Sequence, residues 1–209
     1  MGLTKRLLVI ISPLLALMED QIKEAAKLYL TAMQLGVHDD RDILNGQCSL
    51  VFGTPEAWLL NDKWRNMLSS EIYREKLFGI VVDEVHMTYK WGEGKDGHPA
   101  FRESFGRLEE LRSLTKEGTP VLALTASADL ESRRHVTEKL NMKRVTEVTV
   151  SPNRPNIRLG ICHVPATTNL KCLHWVVKEV LAKGLSMSPI IIYCRTLKAI
   201  GKVYGYLRK

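Results

Sequence analysis

Apolar and polar positions run along this chain in two rhythms that take turns. Short unbroken aliphatic runs are followed by longer stretches whose apolar residues recur every three or four positions. The first run, Leu7-Leu8-Val9-Ile10-Ile11, reads as a buried strand, followed by a turn at Ser12-Pro13 and a helix over residues 15–35 that Gly36 would end. A second strand is expected over residues 48–52, then a turn at Gly53-Thr54-Pro55 and a helix over residues 56–68. Residues 78–82 give a third strand, and residues 87–99, with glycines and mixed charge, read as a loop. A helix over 103–114, a strand over 121–125 and a helix over 130–140 follow, with Asp129 placed to cap the last.

Residues 145–150 form one more β-rich run. Ser151-Pro152-Asn153-Arg154-Pro155-Asn156 then breaks regular structure with two prolines. This predicts a domain over 1–150, a linker over 151–156 and the beginning of another domain over 157–209. The second part should hold a strand over 158–163, a helix over 169–183, a buried strand over 190–193 and a final helix. Strands alternating with helices at these lengths predict an α/β fold, a parallel sheet flanked by helices and joined by right-handed crossovers.

Composition adds a partner class. The chain has 209 residues, of which 45% are hydrophobic and 25% charged, so a sizeable core is expected. A formal net charge of +7 points to a polyanion, nucleic acid before membrane. Cys48, Cys162, Cys172 and Cys194 are widely spaced and form no CxxC pair, so no zinc site or disulfide framework is legible, as in a reducing compartment. Lys5-Arg6 before an apolar run superficially resembles a signal peptide, but Glu19-Asp20-Gln21 follows where a small-residue cleavage site would be needed. The run is also too short and interrupted to span a bilayer, and no membrane association is expected.

The stretch that carries most chemistry is Ile80-Val81-Val82-Asp83-Glu84-Val85-His86. Its aliphatic residues read as a strand buried in a parallel sheet, and ligands of such sheets bind beyond the carboxyl ends of the strands. Asp83 and Glu84 fall there. Paired carboxylates at that place suit Mg²⁺–nucleotide chemistry: one holds the metal, often through water, and the next orients or deprotonates the attacking water. A solvated acidic turn is the alternative for a bare Asp-Glu pair. Ser12-Pro13-Leu14 and Thr54-Pro55-Glu56 each follow a strand and precede a helix, where hydroxyl and backbone N–H groups can hold a phosphodiester, or simply cap the turn. Leu122-Ala123-Leu124-Thr125-Ala126-Ser127-Ala128 ends another strand in hydroxyl residues able to bond the acidic strand end.

In order and spacing these segments resemble the motifs of RecQ-family DNA helicases, within superfamily 2. Ile11-Ser12-Pro13-Leu14-Leu15-Ala16-Leu17-Met18-Glu19-Asp20-Gln21 resembles motif Ia, and Gly53-Thr54-Pro55-Glu56 resembles motif Ib. Asp83-Glu84-Val85-His86 resembles motif II, with valine where alanine is usual, and Leu124-Thr125-Ala126-Ser127-Ala128 resembles motif III. Arg154-Pro155-Asn156 is similar to the segment between that family's two RecA-like domains, and Ile190-Ile191-Ile192-Tyr193-Cys194-Arg195 to motif IV. Trp91-Gly92 with His98, Phe101 and Arg102 is similar to the aromatic-rich loop that marks RecQ proteins.

The resemblance implies a RecA-like parallel sheet flanked by helices, of the P-loop NTPase type, followed by the start of a second RecA-like domain. It implies ATP and Mg²⁺ as cofactors, with Asp83 holding Mg²⁺ through water, Glu84 activating the hydrolytic water, and His86 with Thr125 and Ser127 coupling the nucleotide site to the second domain. Ser12, Pro13, Leu14, Thr54 and Pro55 would lie along single-stranded DNA, and Trp91, Phe101 and Arg102 would sense that strand, since bases stack on aromatic faces. The implied function is ATP-dependent 3′-to-5′ DNA unwinding in repair and recombination, with single-stranded and branched DNA as partners, in the nucleus or in a prokaryotic cytoplasm. Two alternatives remain, a non-catalytic nucleic-acid-binding remnant and another superfamily 2 motor acting on RNA. The pattern Gly-x-x-x-x-Gly-Lys-Ser/Thr occurs nowhere in the 209 residues, nor do the family's later motifs with the arginine finger, so the chain alone is expected to be inactive. Glu93-Gly94-Lys95-Asp96-Gly97 also lengthens the aromatic-rich loop relative to the family.

Overall fold

The computed structural model describes residues 6–90, 92, 100–151 and 153–208, and only the backbone over 166–169. Trp91 and His98, part of the expected aromatic-rich loop, lie outside the described residues. The chain separates into two compact units, Met1–Pro152 and Asn153–Lys209.

In the first unit, β1 (Leu7–Ile11), β2 (Ala32–Gln34), β3 (Leu50–Gly53), β4 (Leu77–Val82) and β5 (Val121–Ala123) form one sheet in the order β2-β3-β1-β4-β5. Every neighbouring pair is parallel, with Val9 of β1 opposite Val51 on one side and Ile80 on the other. Side chains of a strand point alternately to the two faces. Val9 and Ile11 accordingly join one core, with Val51, Ile80 and Val82, beneath Trp58, Phe105 and Leu111. Ile10 points the other way, and packs with Phe52 and Met18. Met18 belongs to α1 (Leu15–Lys27), so α1 covers the second face while the remaining helices cover the first.

Where the helices start and stop follows from caps. The expected helix over 15–35 ends at Lys27, because Tyr29 takes a left-handed conformation (φ 58°) and its N–H and that of Leu30 bond back to Ala26 and Ala25. This hydrogen-bond pair closes a helix end, and the chain then turns into the unexpected strand β2. The short α2 (Asp40–Leu44) is capped by Asp39. The expected helix over 56–68 is divided and extended into α3 (Pro55–Leu60), α4 (Asp62–Ser69) and α5 (Glu71–Lys76). Thr54, Asn61 and Ser70 each accept a backbone N–H at one of these starts, so polar side chains inside the run reset the helix twice. After β4 come α6 (Met87–Lys90), a 3₁₀ turn (Glu103–Arg107), α7 (Glu110–Leu114) and, beyond β5, α8 (Leu130–Lys139), which Asp129 caps as expected.

Three expected strands are not formed. Residues 145–150 are irregular, with Val148 and Val150 exposed. In the second unit, 158–163 and 190–193 are irregular too, Ile191 being 74% and Tyr193 89% exposed. A strand is held by ladder hydrogen bonds to a neighbour, and among the described residues of this unit no other strand offers an edge. What forms instead is helical: a 3₁₀ segment (Ala166–Leu173), α9 (His174–Lys183) and α10 (Leu197–Leu207), which Thr196 caps. No helix among the described residues is long and apolar enough to cross a membrane.

Candidate nucleotide and nucleic-acid site

The parallel sheet lines up its carboxyl ends, and the residues singled out by the sequence stand along that edge. Beyond β3 is Thr54, beyond β1 Ser12, beyond β4 Asp83 and beyond β5 Thr125. Backbone hydrogen bonds continue the sheet past its last paired residues: Ser12 N–H to Gly53 O (3.1 Å), Asp83 N–H to Ile11 O (2.9 Å), Leu124 N–H to Val82 O (2.9 Å) and Val85 N–H to Leu124 O (2.9 Å). The acidic turn is therefore held between motifs Ia and III by main chain, before any side chain contributes.

Asp83 Oδ1 accepts the N–H of Glu84 (2.9 Å), and Oδ2 accepts the side-chain amide of Gln21 from α1 (3.2 Å). Glu84 adopts φ 47°, a left-handed conformation costly for a residue with a Cβ. That conformation turns the chain sharply between Asp83 and His86. Glu84 Oε2 is buried and lacks a hydrogen-bond partner among the described residues, although it lies 3.1 Å from Nδ1 of His86. His86, 8% exposed, has Nδ1 3.0 Å from the Thr125 hydroxyl, and Thr125 in turn accepts the N–H of Ser127 (3.2 Å). Asp83, Glu84, His86, Thr125 and Ser127 are thus brought together as one polar chain.

The expected DNA-contacting residues are placed less uniformly. Ser12 is fully buried and its hydroxyl has no partner among the described residues, because the strand it ends lies in the middle of the sheet. Pro13 and Pro55 are buried as well, while Leu14 is 45% exposed and Thr54 half-buried. The Thr54 hydroxyl is spent on the N–H of Ala57, as helix cap. The side chains of Ser12, Pro13 and Pro55 therefore shape these turns from beneath, and Leu14 is what the first turn shows to solvent. Phe101 is 76% exposed. Arg102 instead faces protein: Nη1 donates to Pro13 O (3.0 Å), Nε to Glu56 Oε1 (2.9 Å), and Nη2 to Glu56 Oε2. Burial pushes the Glu56 carboxyl up, but the Arg102 hydrogen bonds and charge, with its own backbone N–H and the Thr54 hydroxyl, outweigh this and hold it below its ordinary value.

Residues 2–136 match the family profile of the DEAD/DEAH box helicases. The chain belongs to that family. Among curated relatives of this DEAD/DEAH helicase domain is an "ATP-dependent DNA helicase RecQ" of Synechocystis, 31% identical over 91% of this chain and 39% of the relative. Another is the "Bifunctional 3'-5' exonuclease/ATP-dependent helicase WRN" of Mus musculus, 29% identical over 99% of this chain and 14% of the relative. The chain thus spans less than half the length of either. Two solved structures share the fold. One is Saccharomyces cerevisiae Dbp5 bound to RNA and ADP BeF3, at a TM-score of 0.58 and 12% identity over 98% of this chain and 49% of that one. The other is the DUF1998 helicase MrfA, at 0.60 and 16% over 98% and 31%. The RecQ relatives are matched across nearly the whole chain.

Mg²⁺ beside a nucleotide uses one or two carboxylates with water completing an octahedron. Asp83 fits this, since each of its oxygens keeps a lone pair after the bonds to Glu84 and Gln21. Oε2 of Glu84, without a hydrogen-bond partner among the described residues, fits a group that would bond a water. The β- and γ-phosphates need backbone N–H groups and a lysine, and no Gly-x-x-x-x-Gly-Lys-Ser/Thr occurs in these 209 residues to supply them.

Two residues quoted within motifs Ia and Ib carried no expected role. Gln21 shares a helix face with Met18 and Ala25, both buried, so a polar residue inside an apolar stripe was the available signal. Glu56 looks like an ordinary acidic residue in a helix first turn, and nothing in the sequence pairs it with an arginine 46 positions away. Charge also divides between the units. Residues 153–209 carry ten Lys and Arg against one Glu, whereas residues 1–152 carry twenty against twenty-two Asp and Glu. The whole positive excess belongs to the second unit.

Proposed function

We propose that these residues are the coupling part of a RecQ-like, ATP-dependent 3′-to-5′ DNA helicase that acts on tailed and branched DNA in repair and recombination. The observation that carries this reading is the polar chain at the sheet edge. In it Asp83 is bonded to Gln21 of α1, which follows the Ser12-Pro13-Leu14 turn, and His86 is bonded to Thr125. Asp83 would hold Mg²⁺ through water, and the ion would supply charge neutralisation at the phosphates. Glu84 orients and deprotonates the attacking water, and its unbonded Oε2 is the atom that takes the proton. His86 passes the state of that site to Thr125 and Ser127. A change in the strand along α1 reaches Asp83 through Gln21.

The phosphate grip and the arginine finger lie outside these residues, so the stretch expressed alone is inactive as an ATPase. Its place of action is the nucleus, or the cytoplasm of a prokaryote. The test is strand displacement by a motor in which residues 1–209 are joined to the phosphate-binding segment and the remaining second domain of a RecQ relative. Unwinding of a 3′-tailed DNA duplex, and not of a 5′-tailed one, supports the reading. Preference for an RNA duplex would make the chain an RNA motor, and ATP-independent DNA binding without turnover would make it a binding module.

A further inference from the structure

We propose that Arg102 is a positioning residue, which clasps the segment 100–107 onto the turns after β1 and β3 instead of binding DNA phosphate itself. The inference rests on the DNA-helicase reading and gives that site a new part. Three N–H groups of the guanidinium go to protein acceptors, two to the carboxylate of Glu56 in the paired-fork geometry and one to Pro13 O. A bidentate Arg–carboxylate pair fixes orientation as well as distance. The guanidinium carbon also stands 4.9 Å from the ring centre of Phe105, which is buried. The Arg102 side chain is 22% exposed, little for a residue meant to reach into solvent for a phosphate.

Close packing fixes a second point of the same segment. A Cβ at Gly92 would lie 2.2 Å from Thr88 O and 2.4 Å from Gly106 N, and one at Gly106 would lie 2.6 Å from Gly92 O. Only two glycines allow the backbones to meet there. Gly92 and Gly106 therefore lie against each other, and Arg102 ties its own segment to Pro13 and Glu56. Phe101, the neighbour of the clasp, is 76% exposed, so the conformation of residue 102 sets the position of that ring. The three segments joined at Arg102 are motif Ia, motif Ib and residues 100–107.

The test uses the 209-residue chain and a fluorescent oligo(dT), with affinity measured by anisotropy across a salt series. If Arg102 is a clasp, Arg102→Ala and Glu56→Ala each weaken binding by a similar factor of about three to ten, and the double variant is no weaker than either. Arg102→Lys, which keeps the charge but not the fork, weakens it alike. The slope of log K against log salt stays at the wild-type value. If Arg102 grips a phosphate, Arg102→Lys stays near wild type, Arg102→Ala lowers the slope by about 0.7, and Glu56→Ala tightens binding; those results overturn the proposal. Amide hydrogen exchange supplies a readout without DNA. In both alanine variants, residues 14–18 and 103–107 should exchange faster together while α8 is unchanged. Faster exchange at only one of the two segments refutes the clasp, and a wild-type chain that ignores oligo(dT) refutes the DNA reading while exchange still judges the clasp.

Discussion

The side-chain amide of Gln21 donates to Oδ2 of Asp83 across 3.2 Å, joining the helix after the first turn to the carboxylate at the end of β4. The two residues are 62 positions apart, and the bond crosses from motif Ia to motif II. It orients the oxygen that Mg²⁺ would meet through water. A hydrogen bond to a charged group contributes about 1.5–3 kcal/mol. Gln21→Ala in the joined motor should therefore lower ATP turnover by one to two orders of magnitude and raise the Mg²⁺ needed for half-maximal rate. The melting temperature should barely move, because Gln21 is only half-buried. An unchanged Mg²⁺ dependence would remove Gln21 from the site.

The bond between His86 and Thr125 predicts a different failure. Thr125→Val removes the hydroxyl that reaches His86 Nδ1 while keeping the shape, and should reduce stimulation of ATPase by DNA about tenfold with turnover in the absence of DNA preserved. Thr125→Ser, which keeps the hydroxyl, should restore stimulation. Equal loss of basal and stimulated rates in Thr125→Val would place the bond in the hydrolytic step instead.

How much of this was legible in the sequence depends on the range of the interaction. The strands β1 and β4 were readable because unbroken aliphatic runs have few other uses, and the α8 cap because Asp129 acts on its own helix. The division of residues 55–76 into three helices was hidden, since Asn61 and Ser70 compete with the helix only through local capping geometry that propensity averages away. The strands expected at 158–163 and 190–193 fail for the opposite reason: a strand depends on a neighbour that local pattern does not contain. The acidic turn announced its chemistry by type and place, whereas Gln21 and Glu56 owe their roles to partners far along the chain.

Charge segregation between the units gives a salt prediction. Replacing Lys178, Lys198 and Lys202 with glutamine should flatten the slope of log K against log salt for single-stranded DNA by about 0.7 for each lysine that meets a phosphate. Replacing Lys23, Lys27 and Lys63, which pair with Asp20, Glu24 and Asp40, should leave the slope unchanged. The reverse result would move the polyanion surface to the first unit.

Glu56 gives a pH prediction whose sign follows from its lowered pKa. A carboxylate that titrates lower when folded stabilises the fold above its unfolded value, about 4, and loses that contribution as pH falls through the folded value. The difference in melting temperature between the wild type and Glu56→Gln should be constant above about pH 5 and shrink below about pH 4. A difference that grows on acidification would contradict the Arg102–Glu56 pair.

The most direct test of the central claim is the steady-state ATPase rate of the joined motor, with and without single-stranded DNA, for the wild type and Glu84→Gln. If Glu84 activates the hydrolytic water, DNA accelerates wild-type turnover and Glu84→Gln lowers the stimulated rate by at least about 10²-fold. DNA binding by anisotropy stays within twofold in the variant. A Glu84→Gln motor that hydrolyses ATP as fast as wild type, or a wild type that ignores DNA, would contradict the assignment of this sheet edge as a DNA-coupled nucleotide site.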